Sequence, residues 1–473
     1  MQKRIVVFLL VVLLVCSIFV GCQETAKPVE KPAEKVETEK TDTKDEEAKQ
    51  EKNMNPVQFT YWGSTYEKNV VEAALTKFHE ETGYEVEGIH IPSDYTTKLT
   101  AMIAGNQAPD CGYLGIPTAY EWYGDGVLAD ISKIYSNDPN FSTDDLVDGA
   151  LVYYDQNQVM GLFTAIEGYS VIYNTEVLKE AGITPPATHD EAWTWDEFVE
   201  VCKQLTVDIN GKRANEAGFD PENIDRYGVT IPLWFGTYEA IFMKNNGVYV
   251  TDQGTTGWVE PEVIEVLQAL QDLMYVHHVM PTPIARQGLP GTSISLQTGK
   301  YAMTLTGQWD LNSFAQVEGL NVDLTPVPTF GKNDTMLIGS GEMAIYTDGD
   351  NKEGAWELIK YLTTPENSLE LYSDGLWMPI YKEYYLDEEK IALWTSNEKA
   401  RPAAYKEVMM LPVLNKGRYL SELFVKNFND MHNLINPALD QVWSGEVSPE
   451  EAMGGIEEEL NKLIDGTYGK IKN

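Results

Sequence analysis

Side chains that commonly do chemistry are sparse in this chain and poorly spaced for it. The six histidines are His79, His90, His189, His277, His278 and His432. None belongs to an HExxH helix, and the body has no CxxC, so the common zinc-ligand spacings are missing. No GxSxG turn presents a nucleophilic serine. Residues 339–344 (GSGEMA) fit GxGxxA, but no helix follows to receive a pyrophosphate. Gly299-Lys300 lacks the earlier glycine of a phosphate loop, and Asp348-Gly349-Asp350 misses the calcium-loop spacing. Carboxylate pairs for glycoside hydrolysis could form anywhere among 73 Asp and Glu, and nothing singles one out. None of these spacings marks a metal or cofactor site or a known catalytic motif, and a glycosidase's carboxylate pair stays open at this point.

What the chain does carry is 26 Tyr and 11 Trp against 14 Phe. Tyr and Trp combine a flat apolar face with a polar edge. Such an excess suits a groove for a hydroxylated ligand, although ordinary packing accounts for many of these rings. With 35 Lys and Arg against 73 Asp and Glu, the net charge is −38. That field repels nucleic acid and anionic lipid.

Strands alternating with helices must position these groups. Residues 57–63 alternate as a strand, and 66–82 carry Val70, Val71, Ala74, Leu75 and Phe78 on one helical face, with Gly83 placed to cap the end. A second strand is predicted over 84–91. Asp94 is placed to cap a helix through Leu99, Met102 and Ile103. Pro109-Asp110 leads into a short strand, 111–114, where Asp110 suits a structural hydrogen-bonding role as well as a binding one. Further strands are predicted at 227–231, 301–304 and 342–346, and helices at 195–205, 261–275, 353–362, 421–435 and 449–464. The alternation predicts an α/β architecture with sheets covered on both faces. Cys111 and Cys202, the two cysteines of the body, are expected as free buried thiols.

The N-terminus has a different character. Lys3 and Arg4 precede an uncharged apolar run, 5–20, which is short for a membrane span and close to a signal-peptide core. Gly21-Cys22 follows and resembles the lipobox of bacterial lipoproteins, with Phe19 where leucine is commonest. The alternative is an uncleaved anchor helix. Residues 23–56 are rich in Lys, Glu, Asp, Thr and Pro and nearly free of large apolar groups, so they have nothing to bury. The expected order is a signal peptide at 1–21, a lipidated Cys22, a disordered charged tether to residue 56, and a body long enough for two domains. Either reading places the body outside the cytoplasm, held to the outer face of the membrane by its anchor alone.

Residues 57–63, then "EKNVVEAALTKFHEETGYEVE", "DYTTKLTAMIAGNQAPD" and "GVLADIS", are similar to the first lobe of bacterial extracellular solute-binding proteins of family 1. The similarity continues through "EGYSVIYNTEVLKEAGI", "GKYAMTLTGQWDL" and "WELIKYLTTPENSLELYSDGLWMPIY" to "VWSGEVSPEEAMGGIEEELNKL". The resemblance implies a two-lobe periplasmic-binding-protein-like fold (type II). Its lobes would be discontinuous, 57–169 with 340–376 and 170–339 with 377–473. Crossovers near 169–172, 339–342 and 375–379 would form a hinge. It also implies a monomer that captures a sugar, as an oligosaccharide, for the permease subunits of an ABC importer.

The resemblance further implies which residues meet the sugar. A pyranose has an apolar C–H face and a rim of hydroxyls, so it needs flat rings and fixed acceptors. Trp309 matches a stacking position, with Asp310 beside it as an acceptor. Trp62 and Ser64 follow the first strand, Glu167 precedes the first crossover, Trp377 matches the third, and Trp234 and Tyr238 follow a strand of the second lobe. At Leu114-Gly115 the chain lacks the aromatic of maltodextrin-type members, which argues against transferring their specificity. A binder of a polyamine, peptide or metal chelate on the same fold, or a secreted glycosidase, is the alternative.

Overall fold

The computed structural model describes residues 55–331 and 334–466. The expected leader, Cys22 and the expected tether as far as residue 54 lie outside the described residues. Two sheets organise the body. The first has the spatial order Val86–His90, Val57–Tyr61, Cys111–Leu114, Glu342–Ile345, Val159–Phe163, Leu151–Tyr153. Its first three strands are parallel, and the last three are antiparallel to their neighbours. The second runs Gly417–Tyr419, Met336–Gly339, Glu167–Asn174, Tyr301–Gly307, Ile224–Thr230, Val207–Asp208, with Val322–Thr325 also paired to Glu167–Asn174.

The elements form for local reasons. Ser64 caps the helix Thr65–Thr82 by accepting from Glu67 N at 3.2 Å. That helix buries Val71, Ala74, Leu75 and Phe78 and ends on Gly83, whose φ of 78° is left-handed. Asp94 precedes the helix Tyr95–Ala104 but is itself left-handed and makes no capping bond, so its expected role is not seen. Asp110 accepts from the backbone N–H of Gln58 at 2.8 Å and from that of Asn351, which ties the strand start to its neighbours. Cys111 and Cys202 are buried and unpaired.

Two differences from expectation alter the lobes. The first crossover is expected at 169–172, yet Glu167–Asn174 already belongs to the second sheet. The chain passes over at 164–166, because that strand is paired from its first residue, Glu167 opposite Gly339. Residues after 377 do not go directly to the second lobe either. Met378 bridges Ile166, Val147 N donates to Ile380 O, and Lys382 N donates to Asp145 O, so this stretch lies against the first lobe. The second sheet takes the chain again at Gly417–Tyr419. The Gly339–Glu342 crossover falls where expected, with Gly339 ending a strand of one sheet and Glu342 starting one of the other.

The helix expected at 421–435 is instead Phe428–Trp443, with Pro437 inside it. Proline there removes the N–H that would bond the Asn433 carbonyl.

Glu342, at the start of its strand, is 0% exposed, and neither carboxyl oxygen has a hydrogen-bond partner among the described residues. Gly161 makes room for it, since a Cβ there would lie 2.6 Å from Glu342 Cδ. Burial without a partner pushes this carboxyl well above the ordinary range. The folded state therefore binds the proton more tightly than the unfolded chain. Stability present below the unfolded pKa is lost as pH rises towards the folded one, by up to about 1.4 kcal/mol per pH unit. Glu342→Gln cannot ionise and is expected to hold its Tm better than wild type between pH 5 and 8. Parallel Tm–pH profiles for the two proteins would show that Glu342 does not titrate on unfolding.

Candidate functional site

Between the lobes lies a cavity of about 200 Å³ lined by Trp62, Glu167, Tyr169, Trp234, Phe235, Trp309 and the crossover backbone of Gly339, Ser340 and Gly341. It adjoins a groove of about 640 Å³ that shares Gly115, Trp234 and Phe235 and runs along Asn429, His432, Asn433, Asn436 and Asp440. Small-molecule sites usually enclose ~300–1,000 Å³, so the two together are of ligand size.

Each tryptophan stands just past the carboxyl end of a strand: Trp62 after Val57–Tyr61, Trp234 after Ile224–Thr230, Trp309 after Tyr301–Gly307. Clefts of α/β proteins characteristically form at such ends. Trp62 is braced edge-on by Tyr95 at 5.0 Å and Tyr113 at 5.2 Å. Trp309 meets Tyr169 edge-on at 5.5 Å and Trp234 at 6.1 Å. Glycines supply the space. A Cβ at Gly307 would sit 1.9 Å from Trp309 Cζ3, and one at Gly341 would sit 2.9 Å from Trp62 Cζ2.

The polar part of the cavity is Glu167, half-buried and with no hydrogen bond or ion pair to its carboxyl among the described residues. Burial and the neighbouring Glu67 carboxyl push it up to about 8. Glu67 is 6% exposed and also pushed up to about 8 by burial, with the Tyr113 hydroxyl partly offsetting that. Its carboxyl folds against Gly63, where a Cβ would lie 2.0 Å from Oε2 and φ is 123°. A side chain at residue 63 is therefore excluded twice over.

The structure brings together Trp62, Glu167, Trp234 and Trp309. Tyr238 lines the adjoining groove, but its hydroxyl accepts from Trp443 Nε1 at 3.0 Å and its ring is buried. The other three need correction. Ser64 caps a helix and does not line the cleft. Asp310 accepts from Thr306 Oγ1 at 2.8 Å and lines neither cavity. Trp377 is 3% exposed, packed against Tyr372 at 5.7 Å and Tyr113 at 6.1 Å, so it belongs to the core behind the cleft.

Sequence reasoning missed Tyr169, Phe235, Ser340 and the polar face of Phe428–Trp443. Asn429, Asn433, Asn436 and Asp440 recur there at helical spacing, and the helix expected at 421–435 ends short of the last two. Gly115, where no aromatic stands, lines both cavities, and a Cβ there would meet nothing within 4 Å. The missing ring leaves open space in the cleft.

Two lobes enclosing an aromatic cleft define a solute receptor, and the sequence profile of the bacterial extracellular solute-binding proteins matches residues 73–402. The chain belongs to that family. A curated relative, the sn-glycerol-3-phosphate-binding periplasmic protein UgpB of Pectobacterium atrosepticum, is 23% identical over 301 residues, 62% of this chain and 63% of the relative. The chain thus spans under two thirds of the length of that relative. Among solved structures, the ABC substrate-binding protein Lmo0181 from Listeria monocytogenes, in complex with cycloalternan, superposes with a TM-score of 0.71 at 21% identity. It covers 86% of this chain and 98% of its own. Maltose-bound MalE3 of T. maritima gives 0.69 at 19% identity, covering 86% and 100%. The fold is the two-lobe type II α/β architecture of these binding proteins. No helix among the described residues is long and apolar enough to cross a membrane.

Proposed function

We propose that this protein captures a carbohydrate, as an oligosaccharide, and delivers it as a monomer to the permease of an ABC importer. The observation that carries this reading is the convergence of Trp62, Trp234 and Trp309 on Glu167 between two lobes. Three indole faces match the C–H faces of pyranose rings, and the carboxyl with the Asn-bearing helix matches their hydroxyls. The groove beyond Trp234 gives a chain of sugars somewhere to extend. The solved relatives bound to cycloalternan and maltose support the same class of ligand. The partly neutral Glu167 can both donate and accept, which suits a hydroxyl.

Binding without turnover is the expected behaviour. Ligand at 100 times its Kd adds about 2.7 kcal/mol of stability. A thermal-shift screen over oligosaccharides should therefore raise the Tm, and small-angle scattering should show a smaller radius of gyration with the hit than without. A hit that is hydrolysed would favour a glycosidase, and a hit that leaves the scattering curve unchanged would sink the closing mechanism. Attachment through a lipid on Cys22 would hold the receptor at the outer face of the membrane. Labelling with a palmitate analogue is expected for wild type and not for Cys22→Ala; equal labelling of both removes the anchor.

A further inference from the structure

The electrostatics of the cleft are one-sided. Glu167 forms part of its wall, and a second carboxyl, Glu67, lies buried against Gly63 beside the wall residue Trp62, where it works against ionisation of Glu167. Among the described residues, no lysine or arginine lines either the cavity or its groove. His432, in the groove, is held neutral by burial, its pKa pushed down to about 4. Asp440 adds a further carboxylate at the far end. Arg286, in the neighbouring groove that shares Asp440 and Trp443, donates to Thr230 Oγ1 at 2.8 Å and to the Ile231 carbonyl.

A half-buried carboxyl backed by a buried one, with no counter-charge in the lining, is costly to ionise and is relieved by a cation. The rings around it act in the same direction. An ammonium within about 6 Å of an indole face is attracted by the ring's quadrupole, most strongly where water is excluded. A phosphate ester meets the opposite arrangement: its charge finds no lysine or arginine in the lining and opposes the ionisation of the carboxyls that an ammonium would draw out.

We propose that Glu167, backed by Glu67, is a charge filter that makes the cleft select sugars bearing a free amine over their neutral counterparts and exclude phosphorylated ones. This rests on the carbohydrate reading of the same site and narrows it. It also separates this receptor from relatives named for sn-glycerol 3-phosphate.

The test uses matched trios on the intact protein. Glucose, galactose, mannose and glucose disaccharides are each titrated beside their 2-amino-2-deoxy and 6-phosphate counterparts, by thermal shift and calorimetry at pH 7. At least one amino sugar is expected to bind tenfold or more tightly than its neutral counterpart, with no phosphate ester shifting the Tm. Glu167→Gln should erase that tenfold advantage, bringing each amino sugar and its neutral counterpart to the same Kd whatever that Kd becomes. Glu67→Gln, which removes only the repelling neighbour, should reduce the amine's advantage less than Glu167→Gln does. Binding of any phosphate ester by wild type overturns the filter, as does an unchanged amine preference in a folded Glu167→Gln protein. If neutral sugars bind at least as well as amines, the filter fails and the carbohydrate reading stands. If no sugar binds at all, both fall.

Discussion

Arg401→Ala is expected to cost about 3–5 kcal/mol of stability, the sum of about 1–3 for a buried acceptor left without its donor and the cavity left by a large buried side chain. The guanidinium is 5% exposed and sits where three parts of the chain meet. Its Nη2 donates to the carbonyls of Tyr372 and Trp377, both at 2.6 Å, and its Nη1 to Gln308 Oε1 at 3.2 Å. Gln308 in turn donates to the Leu376 carbonyl at 2.6 Å. The rings of Tyr405 and Trp394 stack on it at 4.6 and 5.2 Å. The positive charge is thus held by carbonyl dipoles and aromatic faces, with no carboxylate in salt-bridge contact among the described residues.

Alanine would leave the buried Trp377 carbonyl without its donor, would leave the Tyr372 carbonyl to Gly375 N and Gln308 Oε1 to the Tyr405 hydroxyl, and would open a cavity between two rings. Arg401→Lys can reach one carbonyl but cannot reproduce the fork, so an intermediate loss is expected. Arg401→Met keeps most of the volume and removes the donors, which separates packing from hydrogen bonding. Denaturant unfolding measures all three. An Arg401→Ala midpoint within about 1 kcal/mol of wild type would show that this junction does not hold the lobes' connecting segment in place.

That junction was illegible in the sequence, and the reason is physical. An isolated arginine after an Asn-Glu-Lys-Ala stretch carries no periodicity that would mark it as buried. The elements themselves were legible wherever one face is apolar. Val71, Ala74, Leu75 and Phe78 follow the helical period and are buried together, and Gly83 caps that helix as expected. Alternation located the strands at Val57–Tyr61 and Glu342–Ile345. Pattern alone could not say which way a ring faces beside a crossover. Trp377 and Trp309 both adjoin the ends of elements, and only the three-dimensional path sends one into the core and the other into the cleft. The first crossover was misplaced for a similar reason, since a continuous apolar run gives no sign of where a strand changes sheets. Glu342 reads as an ordinary strand residue, and its lack of a partner is a property of Gly161 and the packed sheet around it.

The contrast between those two tryptophans gives the remaining prediction its form. Trp309→Ala is expected to weaken binding of the sugar found in the screen by about 1–3 kcal/mol, as for an anchoring aromatic. That is roughly a five- to 150-fold rise in Kd, with little change in Tm. The ring is half exposed to the cleft and rests on Tyr169 and Trp234, so its removal opens no closed cavity in the core. Trp377→Ala should behave oppositely. It empties a space against Tyr113 and Tyr372, where loss of an aromatic costs about 3–5 kcal/mol of stability. Any loss of affinity should then follow the unfolded fraction. Because Trp234 touches Trp309, the double variant should lose less than the sum of the two single losses. Calorimetry on each folded variant, with unfolding measured in parallel, decides between these roles. Native affinity in a folded Trp309→Ala protein would remove that ring from the site. Native stability with weakened binding in Trp377→Ala would bring its indole out of the core and back to the ligand.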